Sequence, residues 1–419
     1  MRMKFNKPSQ LALVAAGSLL VATMLTACQT LTVDFVFVTS AKAAGTNNYG
    51  VVDVFEINSE SGQMRQIPTS PFPSGGRNPV AEAVSTDNTN LFVVNKDDNT
   101  IEQFLIGSDG KVYPQNTTNT PGIFPMAVAV SGTNLFVVDT FQPLPTCSPA
   151  AECSGSVAVF PISAPITSNI GTKGAELLTS PVANGNLSYW PLNLPSNPND
   201  VIVPTAINAL KSGSFIYVSA YDASVTPNVG YVYGFAVGSG GTLTPLNGGV
   251  PFLAGTHPSG MASDASSSYL YVTDSANSNV LGYSVAASGP LTPLAGSPYQ
   301  AGGAPSSVVV DPTYPYAYVA NAQDSSITEY SISNGVLTSI GTMSTGLQPV
   351  AIGIDPSTNR FLFTVNFLGS SVNGTVSGFE LDTSSGALLV SKESPSKSDP
   401  IPTAVAAIPH NGTGAGIAK

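Results

Sequence analysis

The chain has 419 residues, with 25 Asp and Glu against 14 Lys and Arg, and a formal net charge of −11. Only 9% of residues are charged, while Gly (40) and Pro (34) are frequent. An acidic, sparsely charged surface disfavours nucleic acid and anionic lipid as partners. The chain also shows no Gly-rich phosphate loop with a lysine and no serine nucleophile elbow. Short Val-, Thr- and Tyr-rich runs separated by turn residues predict an all-β chain.

In chain order, Arg2, Lys4 and Lys7 precede an apolar segment from Leu11 to Leu25. This segment is too short and too rich in small residues for a spanning helix, and reads as a secretory signal. It ends in Leu25-Thr26-Ala27-Cys28, which resembles the bacterial lipobox. The resemblance implies that residues 1–27 are removed and that Cys28 is lipidated, anchoring the protein to the cell envelope. Gln29 carries no acidic retention signal, which favours the outer membrane over the inner. The alternative is an ordinary signal with an incidental cysteine. Losing three basic residues takes the mature chain to about −14. Residues 28–33 are a short tether.

From Asp34 the sequence repeats. Asp34–Thr39, Val51–Ile57 and Met64–Ile67 read as three strands of a sheet that lacks its first. Seven later segments open with a proline: Pro79, Pro125, Pro204, Pro258, Pro305, Pro349 and Pro402. The position two residues on is always small: Ala81, Ala127, Ala206, Gly260, Ser307, Ala351 and Ala404. The next is apolar in six copies and Glu82 in the first. Six openings lead to a second strand ending near Asn95, Asp139, Ala220, Asp274, Asn321 and Asn366. The seventh, at Pro402, has none and complements the incomplete first sheet. One sheet of this kind cannot bury both faces, so the copies must stack. The expectation is one domain over residues 34–408: a seven-bladed β-propeller of four-stranded antiparallel blades, one closed by strands from both termini. Residues 409–419 form a flexible tail.

The third copy is stretched by two insertions. The first, 141–155, holds Cys147 and Cys153, which are expected to pair in an oxidising compartment. The alternative, a metal pair, lacks further ligands nearby. The second, 164–203, is rich in Asn, Pro and Ser and contains the sole tryptophan, Trp190. It reads either as a binding loop or as an excursion pinned to the rim by Tyr189 and Trp190.

The stretches YVAN (Tyr318 to Asn321), YVTDSANSNV (Tyr271 to Val280) and LTPLAGSPYQAGGAPSSVVVDP (Leu291 to Pro312) resemble the seven-bladed lactonase-like and YVTN-type propellers. In the 6-phosphogluconolactonase branch, the resemblance implies an Arg and a His after an opening proline, and a second strand ending in Asn-Glu-Leu. Here Ser259, Gly260, Asp274 and Ser275 stand at those positions. The remaining candidates are Glu82, out of character in its column, with Arg77 and His257 as companions for catalysis or binding, and Trp190 for binding. His410 is expected to be solvated, and Lys96-Asp97-Asp98-Asn99 to be a turn rather than a calcium loop. The missing groups, the lipobox and the large insertion point to a non-catalytic binding or scaffold module for a small molecule, glycan or envelope protein. The alternative is a lactonase-type hydrolase of a sugar-derived or aromatic-acid lactone. No cofactor and a monomeric state are expected.

Overall fold

The computed structural model describes residues 32–41, 49–143, 147, 153–163, 167–168, 171–172, 177–356, 358–370 and 373–410. The signal segment, Cys28 and residues 411–419 lie outside the described residues. Seven antiparallel sheets form a ring of blades. We number the blades from the N-terminal one. Blade 1 is ordered Met64–Gln66, Val51–Asn58, Thr32–Ser40 and, innermost, Pro402–Pro409. Blades 2 to 7 begin with inner strands Pro79–Val84, Ile123–Ser131, Ile202–Ala209, Pro258–Ser263, Pro305–Val310 and Leu347–Ile354. Each inner strand abuts the next, and Pro402–Pro409 sits between those of blades 7 and 2, closing the ring. Ser40 pairs with Pro402 and Phe35 with Ile408, so the two termini build one sheet. Closure of this kind removes the long unpaired edge that would invite aggregation.

Every blade carries the same irregularity. The register of its inner pair slips just after the opening proline, as between Pro79 and Ala81 or Pro258 and Gly260. One residue is left unpaired there, a β-bulge, which also accommodates a proline within a sheet. In blades 5, 6 and 1 that extra residue is Ser or Thr and its hydroxyl ties one blade to the next, whereas Thr205 of blade 4 bonds Ser219 of its own blade. Ser259 donates to the Pro305 carbonyl at 2.6 Å, Ser306 to Pro349 at 2.7 Å and Thr403 to Pro79 at 2.9 Å. The small residue that follows allows the close approach: a Cβ on Gly260 would lie 2.8 Å from the Ser307 Cα.

Between blades the core is apolar, with repeated polar ties from buried tyrosines. Tyr217, Tyr271 and Tyr318 hold the same place in the second strands of blades 4, 5 and 6, and each is fully buried. Their hydroxyls donate to the carbonyls of Gly289, Gly335 and Gly386 in the following blades, at 2.6, 2.9 and 2.9 Å. A buried phenol needs such a partner, and burial pushes all three pKa values upward. Gly335 and Gly386 have φ of 82° and 78°, and a Cβ on either would fall 2.4 Å from a tyrosine ring. No other residue fits these turns.

The strand-end Asn and Asp residues fasten the segment entering each blade. Asp274 accepts the backbone N–H groups of Thr256 and His257, Asn321 that of Gly302, and Asp139 that of Gly122. Cys147 and Cys153 are disulfide-bonded, with Cα atoms 5.4 Å apart. The second insertion is not wholly an insertion: Trp190–Pro191 within it is the outermost strand of blade 3, paired to Ser156 and Val157.

Candidate functional site

The seven inner strands surround an axial channel, and most of their residues keep partial exposure. Glu82 is the only ionisable side chain on any of them. It lies three residues below Pro79, about 10 Å from the mouth at the rise of an extended strand. Its Oε2 accepts the Thr39 hydroxyl of blade 1, and its buried Oε1 has no hydrogen-bond partner among the described residues. Protein atoms crowd the carboxyl while its residue keeps part of its surface on the channel. Burial pushes its pKa up to about 7, against the opposing pull of Thr39 and the Ala406 backbone. A carboxyl poised near neutral pH, with one oxygen uncommitted though shielded from bulk solvent, can take a proton from a water admitted beside it. One step deeper on blade 4, Asn208 also has an unpartnered Oδ1. Its column otherwise holds Ala, Val and Gly, so Asn208 was legible one position beyond the column that singled out Glu82.

The other sequence candidates do not join Glu82. Arg77 is half-exposed at the mouth and forms an ion pair with Asp98, Nη2 to Oδ1 2.5 Å. Asp97 accepts from Asn78 and Asn99 from the Phe124 N–H, so the Lys96–Asn99 segment is a turn that organises the mouth. His257 stacks on Tyr221 with centroids 4.2 Å apart, and its Nδ1 lies 3.2 Å from the Ser275 hydroxyl. Trp190 is 3% exposed, and its Nε1–H donates to Leu243 at 2.9 Å. It packs between blades 3 and 4 and faces no channel. His410, expected in solvent, is half-buried with its ring 5.2 Å from that of Phe35. Ser259, at the expected arginine position, is consumed by its tie to blade 6. Among the described residues, no cluster of His, Cys, Asp and Glu could hold a metal.

The mouth has its own construction. Asn78, Phe124, Ala304, Gln348 and Ile401, each just before an opening proline, adopt positive φ between 49° and 57°. Such conformations are costly away from glycine, and clusters of them mark functional regions. Beside the blade 6 and 7 members is a cleft of about 390 Å³, bounded by Ala304, Gln323, Gln348, Leu347 and Leu368. The two leucines are 56% and 51% exposed. Opposite, the Lys96 ammonium lies 5.9 Å from the Phe124 ring centroid.

Comparison with known proteins bears on these features. The family described as lactonase, 7-bladed β-propeller, matches residues 231–406, under half of the chain. No curated protein matches. Among solved structures, a candidate 6-phosphogluconolactonase from Bacteroides fragilis is 18% identical, with 91% of this chain and 99% of that one covered and a TM-score of 0.63. A periplasmic gluconolactonase from Pseudomonas aeruginosa is 15% identical, with 90% and 99% covered and a TM-score of 0.64. A candidate 6-phosphogluconolactonase from Bacteroides uniformis is 16% identical, with 90% and 100% covered and a TM-score of 0.62. These findings correct the expectation of a non-catalytic binding or scaffold module, which rested on the lipobox, the missing catalytic pattern and the large insertion; they favour the lactonase alternative. At these identities the solved structures establish the architecture: the chain is a seven-bladed β-propeller whose residues 231–406 match the lactonase family.

Proposed function

We propose that the protein hydrolyses lactones in its axial channel, with Glu82 as general base. The observation that carries this reading is Glu82 itself: the sole ionisable group on the inner strands, with a pKa of about 7 and a free Oε1. The lactonase family match supports the reaction class. In the reaction, Glu82 Oε1 takes a proton from water as the water oxygen bonds to the lactone carbonyl carbon. Collapse of the tetrahedral intermediate breaks the ring C–O bond, and the proton passes from Glu82 to the departing alkoxide. The Thr39 hydroxyl holds Oε2, fixing the carboxyl. The Asn208 amide is the candidate donor to the carbonyl oxygen, a contribution of the kind that typically gives about 10² to 10³ in rate.

The substrate is an unphosphorylated lactone, sugar-derived or aromatic. Arg77, the guanidinium at the described mouth, is already bound to Asp98, and His257 is held by Tyr221 and Ser275. The signal segment and Cys28 are consistent with this reaction taking place at the envelope under a lipid anchor. The test is turnover of glucono-δ-lactone, dihydrocoumarin and 6-phosphogluconolactone, corrected for spontaneous hydrolysis. The rate is expected to rise with pH through about 7 and level off, as the base ionises. Glu82→Gln should lose about 10² to 10⁴ of it. An unaltered rate in Glu82→Gln would remove Glu82 from the chemistry.

A further inference from the structure

A second cavity lies on the outer rim between blades 3 and 4, away from the channel. It measures about 320 Å³, at the lower end of the range for small-molecule sites. One wall is the segment after the blade 3 edge strand, with Pro191, Leu194, Pro195 and Pro198; the other is blade 4, with Tyr233 and the Pro245–Pro251 turn. The first wall is firmly placed. Trp190 donates to Leu243, Leu192 and Leu194 are buried, and Gln142 Nε2 donates to Asn193 Oδ1 at 3.1 Å. The opposite turn is shaped by left-handed residues at Asn247, Gly248 and Gly249. The backbone is bare at Gly234, where a Cβ would meet Leu246 Cδ1 at 2.8 Å.

Two features of this cavity point to a ligand. None of its bounding side chains is charged. Tyr233 is 4% exposed, yet its hydroxyl has no hydrogen-bond partner among the described residues. The other seven buried tyrosines of the described residues all donate to a carbonyl, including Tyr283 and Tyr330 in the third strands of blades 5 and 6; this one does not. A buried polar group without a partner is costly and uncommon. We propose that the cleft binds a neutral, single-ring molecule bearing one hydrogen-bond acceptor, which the Tyr233 hydroxyl donates to while the ring packs between the prolines. A charged ligand would meet no countercharge there, and a polymer would exceed the volume. This site is independent of the lactonase reading.

Trp190 is the sole tryptophan and adjoins Pro191 in the wall, so its emission reports on the cleft. The experiment titrates the full-length protein with acetanilide, which carries a ring and an amide carbonyl, and with ethylbenzene, which has no acceptor. Saturable changes in Trp190 emission are expected for both. Tyr233→Phe should weaken acetanilide at least fivefold and leave ethylbenzene unchanged, with a melting temperature no lower than that of the parent. Val250→Asp, at a lip residue 50% exposed, should weaken both. The proposal is overturned if acetanilide gives no saturable change, or if it binds the parent and Tyr233→Phe equally.

Discussion

Replacing Glu82 with Gln separates a catalytic carboxyl from a merely tolerated one, because it should damage activity and improve stability together. In the unfolded chain Glu82 titrates near 4.5, and in the folded protein at about 7. Between those values the folded state holds a proton that the unfolded state has released. The corresponding stability is fully present below pH 4.5, drains as pH rises to about 7, and is gone above it. The displacement is worth on the order of 3 kcal/mol at pH 8. Glutamine keeps an oxygen to accept from Thr39 and never ionises, so the variant should escape this loss. With unfolding entropies of about 2.1 cal/mol/K per residue, a chain of this length gains about 3 °C in melting temperature at pH 8 and little at pH 5. Asp53 and Asp139, also pushed up to about 7 by burial, affect parent and variant alike. The difference between the two melting curves across pH therefore isolates Glu82. Parallel curves from pH 5 to pH 8 would refute the claim that this carboxyl is desolvated in the channel.

Further outcomes follow from the ring and from the proposed anchor. Deleting residues 400–419 removes the inner strand of blade 1 and exposes the flank of Thr32–Ser40; the melting temperature should fall sharply and aggregation should rise. An unchanged cooperative transition would contradict the closure. Cys28→Ser should shift the protein from the membrane to the soluble fraction, and continued membrane retention would dismiss the lipid anchor. Backbone hydrogen exchange should be slower between blades 4 and 7 than between blades 1 and 3, for the reason given below; equal protection would count against it.

Much of the fold was legible because a propeller is a repeat, and small, apolar and proline columns survive alignment by eye. The half-blades at the two ends were legible because each lacked what the other had. Contacts between blades were not. Arg77 is near Glu82 in sequence, but three residues of extended strand carry Glu82 into the channel, where its partners Thr39 and Ala406 come from blade 1. Arg77 stays at the mouth and meets Asp98 across a hairpin. Trp190 looked like a binding residue because the long excursion around it concealed a two-residue edge strand. The hydroxyls of Ser259, Ser306 and Thr403 looked interchangeable with Val80 or Met126 until the bulge showed where they reach. The functional error had a similar origin: two missing residue types at one opening were weighed above a likeness spread along the chain.

The three buried tyrosine ties fall only on the joins from blade 4 to blade 7. At the matching position blades 7, 1, 2 and 3 have Phe363, Phe37, Phe92 and Phe136, which pack but cannot bond. One arc of the ring is thus riveted by phenols, while the other depends on ring packing and on scattered ties such as Thr403 to Pro79 and Trp190 to Leu243. A circular assembly yields first where its joints are weakest, and Glu82 stands at a join without a phenol tie, between blades 1 and 2. Under the proposed mechanism, a molecule entering the channel would meet its base in a wall that no phenol fastens.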